Sequence, residues 1–345
     1  MNQRESHIQV WCTLGPASLR PEVIRGLAQR GVDLFRINLS HTALASLEDT
    51  VRLVRAHSDV PVCFDTEGPQ ARCGMMTAGT VLFAGDTVRL TPRTQLGTAE
   101  CISLRPAALF DRLRPGAVLS VDFDGAFLRV GRADASGAVA VVAEGGRVAS
   151  NRAVTVDHAL VLPALTGKDR RAVDIGNRLG IGHYALSFAG SAADVDALRV
   201  LAPRAQVIAK IESRTGVANR DEIIAAADAV LIDRGDLSRE VPLECVPFYQ
   251  KAIVRAANRQ NTPVVVATNL LESMVTSRRA TVAEVNDIAN TLLDGVHGLV
   301  LAAETAVGVD PIGVVDVVAR SIRAFERTTA AALLEDDRAP ALAAG

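Results

Sequence analysis

The sequence predicts an α/β protein, a (β/α)8 barrel of the TIM type into which a small β-barrel lid domain is inserted. Short apolar runs of the β type alternate with amphipathic helical stretches, which is the pattern of repeated βα units around a parallel sheet. Eight strands close such a barrel. The sequence supplies eight runs, at residues 8–14, 33–40, 60–66, 183–188, 206–212, 229–236, 263–269 and 298–304.

The inserted domain follows from the spacing of these runs. Residues 67–182 separate the third run from the fourth, a stretch far longer than an ordinary βα connection. Within it, residues 70–162 contain short alternating strands and turn signals such as AGDT and EGGR, with little helical periodicity. We therefore expect a discontinuous catalytic domain, 1–69 and 163–330, a lid domain, 70–162, and a disordered tail, 331–345.

Composition narrows the class of protein. A chain of 345 residues that is 49% hydrophobic can bury one large core and one satellite domain. The 37 basic and 39 acidic residues are nearly balanced, so no nucleic-acid partner is indicated. Five scattered cysteines without CxxC spacing argue against a disulfide framework and a zinc site. With no apolar signal core and no apolar run of membrane-spanning length, we expect a cytoplasmic protein without a membrane partner.

Charged residues gather at the carboxyl ends of the predicted strands, where barrels of this type build their sites. Crowded carboxylates are costly unless cations neutralise them, so these positions predict a divalent metal site. Glu212 and Asp236 are the expected ligand pair, and two carboxylates leave positions open for water and a phosphorylated substrate on Mg²⁺ or Mn²⁺. Lys210, two residues before Glu212, faces the same space. The full set is Arg36, Asp65, Glu67, Lys210, Glu212, Asp233, Asp236 and Glu304.

Segments in a constant order along almost the whole chain carry a resemblance to one family. They are TLGPAS (13–18), FRINLSH (35–41), DTEGPQAR (65–72), VDFDG (121–125), LPALTGKD (162–169), IAKIESRTG (208–216), DRGDL (233–237), QK (250–251), ATNLLESM (267–274), AEVNDIAN (283–290) and DG with LAAETAVG (294–308). Together they resemble the pyruvate kinase family. The resemblance implies a glycolytic kinase that converts phosphoenolpyruvate and ADP to pyruvate and ATP, with Mg²⁺ or Mn²⁺ and with K⁺. It also implies a homodimer through the barrel helices and a chain that lacks the family's usual C-terminal domain.

The resemblance also implies roles for individual residues. Lys210 corresponds to the lysine that stabilises the phosphoryl group and the enolate, and Glu212 and Asp236 correspond to the divalent-metal ligands. Gly235 and Asp236 offer backbone amides to the substrate carboxylate, and Thr268 occupies the position associated with enolate protonation. Three further sets match, namely Arg36 for the transferred phosphate, Asn38, Ser40, Asp65 and Thr66 for the monovalent cation, and Arg72, Lys168 and His41 for the nucleotide phosphates.

Lysine usage supports this resemblance independently. Only three of the 37 basic residues are lysines, namely Lys168, Lys210 and Lys251. Two of them stand at the family's lysine positions. A compact ammonium, rather than a planar guanidinium, is therefore favoured at residues 168 and 210.

Several positions depart from the family pattern, and they leave other functions open. Glu67 and Val307 replace lysines, and Gly190 ends SFAG where the family has SFVR. Asp233 replaces the alanine of ARGDLG, where a second carboxylate repels an anion. One alternative is a metal-dependent lyase or aldolase that uses the same enolate-stabilising centre on another oxo acid. A second is a non-catalytic homologue, although a purely structural ion-pair cluster is disfavoured because barrel cores rarely bury unpaired charge.

Overall fold

The computed structural model describes residues 7–121, 125–158 and 162–336, so three residues of the VDFDG segment, 122–124, lie outside it. The chain divides into two compact units, one comprising 1–66 with 167–345 and the other 67–166. Within the described residues, no helix is both long and apolar enough to cross a membrane.

The larger unit opens with two βα repeats and a third strand. Pro21 stands in the first turn of the first helix, where its missing N–H costs nothing. The second helix has Glu48 and Asp49 in its first turn and Arg52 and Arg55 in its last, which complements the helix dipole. The elements are β1 (Gln9–Leu14), α1 (Pro21–Ala28), β2 (Leu34–Asn38), a 3₁₀ turn (Leu44–Ser46), α2 (Leu47–Arg55) and β3 (Val62–Asp65).

The inserted unit is built of short strands around a core of its own. Its strands are β4 (Arg72–Cys73), β5 (Val81–Leu82), β6 (Thr87–Thr91), β7 (Cys101–Arg105), β8 (Val118–Val121), β9 (Ala126–Asp134), β10 (Gly137–Glu144), β11 (Gly146–Arg147) and β12 (Val154–Val156), with a 3₁₀ turn at Ala107–Leu109. Seven of these form one sheet in the order β12-β8-β9-β10-β6-β7-β4, and β5 pairs with β11.

The two edges of this seven-stranded sheet meet. Arg72 and Ala153 form an antiparallel bridge, Cys73 N donates to Arg152 O at 2.9 Å, and Val154 N donates to Ala71 O at 2.8 Å. The sheet therefore curls back on itself, which leaves few open edges to pair with other chains.

The chain then returns to the larger unit and completes it. The remaining elements are α3 (Gly167–Leu179), β13 (His183–Leu186), α4 (Ala192–Leu201), β14 (Gln206–Ile211), α5 (Arg214–Ala218), α6 (Arg220–Ala226), β15 (Ala229–Asp233), α7 (Arg234–Glu240), a 3₁₀ turn (Leu243–Cys245), α8 (Val246–Arg259), β16 (Val264–Ala267), a 3₁₀ turn (Glu272–Val275), α9 (Val282–Leu293), β17 (Gly298–Leu301), α10 (Ala303–Ala306) and α11 (Pro311–Asp336).

Eight parallel strands of the described residues close into a barrel in the order β1-β17-β16-β15-β14-β13-β3-β2, which confirms the predicted (β/α)8 fold. Each of the eight predicted runs contains one of these strands. Every strand also sends one side chain into a packed interior layer. The layer consists of Trp11, Leu34, Cys63, Ala185, Ile208, Leu231, Val265 and Val300.

The tail prediction is wrong for residues 331–336, because α11 continues to Asp336. The segment TTAAALLED is rich in alanine, leucine and acidic residues, and it extends a helix that is already nucleated. Residues 337–345 of the predicted tail lie outside the described residues.

Candidate active site

The strand period of two residues places the polar site directly above the packed interior layer. In a β-strand, residues i and i+2 face the same side, so the residue two positions after each layer member also points inward, nearer the carboxyl end. Most of these positions are polar and almost completely buried. They include Thr13, Arg36, Asp65, Ser187, Lys210 and Asp233.

Lys210 lies at the centre of this polar layer. Its Nζ is 3.3 Å from Asp65 Oδ1, 3.2 Å from Glu212 Oε2 and 3.6 Å from Asp233 Oδ2, and it donates a hydrogen bond to Ser187 Oγ at 3.1 Å. Burial by itself lowers the pKa of Lys210, but the three carboxylates outweigh burial and raise it. The side chain is therefore held as an ammonium.

Arg36 neutralises the other side of Asp65. Its Nη1 lies 3.2 Å from Asp65 Oδ2, and its Nε donates to Thr13 Oγ1 at 2.8 Å. The Thr13 hydroxyl in turn donates to Leu301 O at 2.8 Å, which fixes the direction of the guanidinium. Asp65 thus lies between two cationic side chains.

Three carboxylates form an acidic group at the carboxyl ends of the barrel strands, which we call the barrel mouth. Ligand oxygens of Glu212, Asp233 and Asp236 all lie within 4.8 Å of one another. Glu212 Oε1 accepts from Phe188 N at 2.7 Å, whereas its buried Oε2 has no hydrogen-bond partner in the part of the chain that the structure describes. Burial raises the pKa of Glu212, and only Lys210 opposes that effect strongly. Hard carboxylate oxygens, one of them lacking a hydrogen bond, fit a divalent cation.

The predicted strand 229–236 is too long, because β15 ends at Asp233 and α7 begins at Arg234. Gly235 and Asp236 therefore belong to a helix, and Asp233 is its N-cap. Asp233 Oδ1 accepts from Gly235 N at 3.2 Å and from Asp236 N at 3.4 Å. Burial raises the pKa of Asp233, but Lys210 and Arg36 outweigh burial and lower it. The two amides expected to bind a substrate carboxylate thus donate to a carboxylate of the protein itself.

Thr268 adds a hydroxyl to the same cluster from a strained backbone. Its φ is 69°, in the left-handed region that β-branched residues rarely adopt. Thr268 Oγ1 accepts from Gly235 N at 2.7 Å and lies 3.1 Å from Asp233 Oδ1. The guanidinium of Arg234 holds the Thr268 carbonyl with bonds of 2.7 and 3.1 Å, and Asp287 anchors that guanidinium at 2.7 Å. Such strain persists where neighbouring contacts enforce it.

The four residues expected to bind a monovalent cation lie close together, and oxygens of three of them, Asn38, Asp65 and Thr66, already face donors of the protein. Asn38 and Asp65 are register partners on β2 and β3, and Asn38 Oδ1 accepts from Ser40 N at 2.8 Å. Thr66 Oγ1 accepts from Ser187 N at 2.9 Å, and Asp65 already faces two cationic side chains. A monovalent cation at this place would therefore share the oxygens of Asn38, Asp65 and Thr66 with the donors that they already have.

The three residues expected on the nucleotide side are divided between the two units. Lys168, at the start of α3, donates from Nζ to Leu39 O in the loop that also carries His41. Arg72 lies on β4 of the inserted unit, where its Nη1 donates to Asn151 O at 3.1 Å. Only Lys168 and His41 are therefore brought to one loop.

Sequence reasoning missed the contributions of Thr13, Ser187 and Arg234. Thr13 and Ser187 each stand two residues after a member of the interior layer, so strand periodicity contained the signal for both. Arg234 gave no comparable signal, because its contact with Thr268 depends on how α7 leaves β15.

The fold and the buried polar layer at the carboxyl ends of its strands define a class of protein, the TIM-barrel enzymes, which build their active sites at that end of the barrel. The particular family is settled by comparison with known proteins. Residues 5–315 match the family description "Pyruvate kinase, barrel domain", and the chain belongs to the pyruvate kinase family. It is therefore an enzyme of the phosphotransferase class.

Relatives and a solved structure agree with this membership. The chain is 37% identical over 333 residues to the pyruvate kinase of Corynebacterium efficiens, which covers 93% of this chain and 70% of that protein. It is also 37% identical over 339 residues to the pyruvate kinase of Mycobacterium tuberculosis, covering 94% of this chain and 71% of that one. The crystal structure of a pyruvate kinase from Cryptosporidium parvum superposes with a TM-score of 0.80 at 32% identity, over 92% of this chain and 68% of that one.

Proposed function

We propose that this protein transfers the phosphoryl group of phosphoenolpyruvate to ADP, with Mg²⁺ or Mn²⁺ held by Glu212 and Asp236. One observation carries the proposal. The ammonium of Lys210 lies 3.2 Å from a carboxylate of the acidic group that fits the metal. A cation of the protein and a metal ligand thus face one space, which is the requirement for stabilising an enolate next to a phosphoryl group.

The chain's own residues divide the work of the reaction. The bound metal supplies Lewis-acid stabilisation of the enolate oxygen. Lys210 neutralises charge that moves between the phosphoryl group and the enolate, and Arg36, fixed by Thr13, orients the phosphoryl group. The phosphorus–oxygen bond to the enol breaks as the bond to the ADP oxygen forms, and the Thr268 hydroxyl then passes a proton to the methylene carbon to give pyruvate and is itself reprotonated by water. Lys168 and His41, which meet at one loop of the larger unit, contact the nucleotide phosphates, a role that the family resemblance also gives to Arg72.

We also propose a cellular location, a homodimer and a use of potassium for this enzyme. The absence of a spanning helix among the described residues is compatible with the cytoplasm, where we place the enzyme. A homodimer through the barrel helices is supported by exposed apolar side chains along α9, namely Val282, Val285 and Leu293. Sedimentation of the purified chain tests the dimer. Potassium has weaker support, because the oxygens that would bind it already face donors.

The experiment is a coupled assay of pyruvate formation with and without ADP, in the presence of Mg²⁺ or of a chelator. We expect turnover that needs phosphoenolpyruvate, ADP and the divalent cation together. The Lys210→Met variant serves as the inactive control. Absence of ADP-dependent pyruvate formation from a folded, metal-loaded protein would remove the proposal.

The position of Asp233 favours one second candidate. Because its carboxylate takes the two amides at the start of α7, an oxo acid that places its carboxylate elsewhere avoids the repulsion. A lyase or aldolase that releases pyruvate from a 4-hydroxy-2-oxo acid would use the same metal and Lys210. Pyruvate release from such a substrate without nucleotide distinguishes this candidate from the kinase.

A further inference from the structure

Asp233 is held in a position where its two oxygens serve different partners. Oδ1 receives the amides of Gly235 and Asp236 and lies 3.1 Å from the Thr268 hydroxyl. Oδ2 turns to the other side, 3.6 Å from Lys210 Nζ. The side chain is only 7% exposed, so water does not compete for either oxygen. A carboxylate fixed in this way is preorganised, because its direction does not change when a ligand arrives.

Gly235 makes this close approach possible. A Cβ on residue 235 would lie 3.3 Å from Thr268 Oγ1, which is a tight fit, and 3.4 Å from Asp233 Oδ1, which is about van der Waals contact. The Gly235 amide is shared between Thr268 Oγ1 at 2.7 Å and Asp233 Oδ1 at 3.2 Å, and the Asp236 amide donates to Asp233 Oδ1 at 3.4 Å. A carboxylate from a substrate cannot accept from the same two amides at the same time.

The net charge at the barrel mouth also indicates that Asp233 takes the place of a substrate carboxylate. Among the described residues, the three cations Arg36, Lys210 and Arg239 face the five carboxylates of Asp65, Glu212, Asp233, Asp236 and Glu304, which leaves a net charge of −2 when all are ionised. The guanidinium of Arg239 lies 3.7 Å from Asp236 on the more exposed side. A divalent cation brings the group to zero, whereas the same mouth with a neutral residue at 233 would become +1 on binding the metal. Asp233 thus replaces the negative charge that a substrate carboxylate would otherwise contribute.

We propose that Asp233 is a third carboxylate ligand of the divalent cation and that it occupies, with its other oxygen, the place of a substrate carboxylate. The inference rests on the metal site of the proposed function. It makes two linked statements about this chain. The substrate-free enzyme binds a divalent cation tightly, and the metal-loaded enzyme binds a dicarboxylate or a 2-oxo acid weakly.

The test compares Asp233→Asn and Asp233→Ala with the parent protein, and it needs no turnover. Asparagine keeps an oxygen that accepts from the amides but removes the charge, whereas alanine removes both. Mn²⁺ affinity is measured on the substrate-free protein by the loss of the free-ion electron paramagnetic resonance signal. Oxalate affinity is measured on the Mn²⁺-saturated protein by titration calorimetry. We expect Mn²⁺ binding to weaken at least about tenfold in both variants, and oxalate binding to tighten at least about tenfold in Asp233→Ala.

Asp228→Asn is the matched control. Asp228 also accepts from a backbone amide, that of Val207 at 2.7 Å, and also pairs with a basic side chain, Arg199 at 3.1 Å, but it precedes β15 at the other end of the barrel. We expect its Mn²⁺ and oxalate affinities to equal those of the parent protein. The opposite signs expected for Asp233→Ala also exclude a general folding defect, which would weaken both ligands together.

The outcomes separate this inference from the proposed function. If Asp233→Asn binds Mn²⁺ as the parent does, Asp233 is only a helix cap and the inference fails. If Asp233→Ala binds oxalate no more tightly, the amides do not mark the carboxylate position and the inference fails as well. Reciprocal changes in Mn²⁺ and oxalate affinity without any ADP-dependent turnover sustain the inference and remove the kinase. ADP-dependent turnover with Mn²⁺ and oxalate affinities that do not change in the Asp233 variants supports the kinase and removes the inference.

Discussion

Replacing Lys210 by methionine tests the central electrostatic argument, because it removes the ammonium and keeps most of the side-chain length. Three carboxylates lie within 3.6 Å of Nζ, and two of them are at most 1% exposed. Removing one partner of a buried charge group destabilises a protein by about 3–5 kcal/mol. For the reaction, loss of a preorganised cation next to the developing enolate is expected to lower kcat/KM at least about a thousandfold, or about 4 kcal/mol of transition-state stabilisation.

Two activity assays and one unfolding measurement separate the effect of Lys210→Met on chemistry from its effect on folding. Coupled pyruvate formation reports the whole reaction. Exchange of the pyruvate methyl protons in deuterated water, with Mn²⁺ and without ADP, reports enolate formation alone by nuclear magnetic resonance. Thermal unfolding shows whether Lys210→Met is folded at the assay temperature, and we expect both activities to fall together in the folded variant.

Lys251→Met is the matched control, since the chain contains only three lysines. Lys251 pairs with Asp294, and its side chain is 40% exposed, so that pair contributes about 1 kcal/mol or less. Activity close to the parent value is expected. A folded Lys210→Met protein that keeps more than about a tenth of kcat/KM would refute the assignment of Lys210 to enolate stabilisation.

Three further predictions concern the hydroxyl of Thr268, the helix-capping Glu284 and the monovalent-cation site. Thr268→Val removes a hydroxyl and is expected to slow methyl proton exchange about a hundredfold or more, with Thr268→Ser close to the parent; equal rates for valine and serine would refute the proton-transfer role. Burial raises the pKa of Glu284, but the hydrogen bonds from Ser273 and Thr281 outweigh burial and lower it. Glu284→Gln should therefore cost about 1 kcal/mol in chemical denaturation at pH 7, and the difference should close as pH falls below the ordinary value of 4.5; a difference that persists in acid would contradict the argument. Because Asp65 already faces two cationic side chains, replacing K⁺ by tetramethylammonium should change turnover less than about tenfold, and a hundredfold loss would show that K⁺ is required.

The strands were predictable because their period and composition are local properties. Each predicted run contains a strand, but several runs extend past the carboxyl end, most clearly 229–236 against Ala229–Asp233. Apolar periodicity does not show where a strand turns into a helix. Aspartate is a preferred N-cap residue, and Asp233 directly precedes α7, so the sequence does contain a local signal for the end of β15.

The members of the site were also partly predictable, whereas their pairing was not. Lys210 and Glu212 share a strand end, so their proximity follows from the chain. The pairing of Asp65 with both Arg36 and Lys210 depends on which strands are neighbours and on their register around a closed barrel. The sequence places the third carboxylate, Asp233, in the charged set at the strand ends, but it does not indicate which partners that carboxylate meets. Its position against the amides of α7 requires the geometry of a turn that no periodicity encodes.

The surroundings of Lys210 explain why an arginine-rich chain has a lysine there. The Nζ atom has oxygens of four side chains, those of Asp65, Ser187, Glu212 and Asp233, between 3.1 and 3.6 Å away on different sides. A compact ammonium directs three N–H bonds to such a set, whereas a guanidinium is planar and presents its donors as a fork in one plane. Arg36 meets a different requirement, because two nitrogens on different edges of its planar guanidinium reach two acceptors, Nε to Thr13 and Nη1 to Asp65. The choice between the two cations at these strand ends is therefore set by the directions of their acceptors.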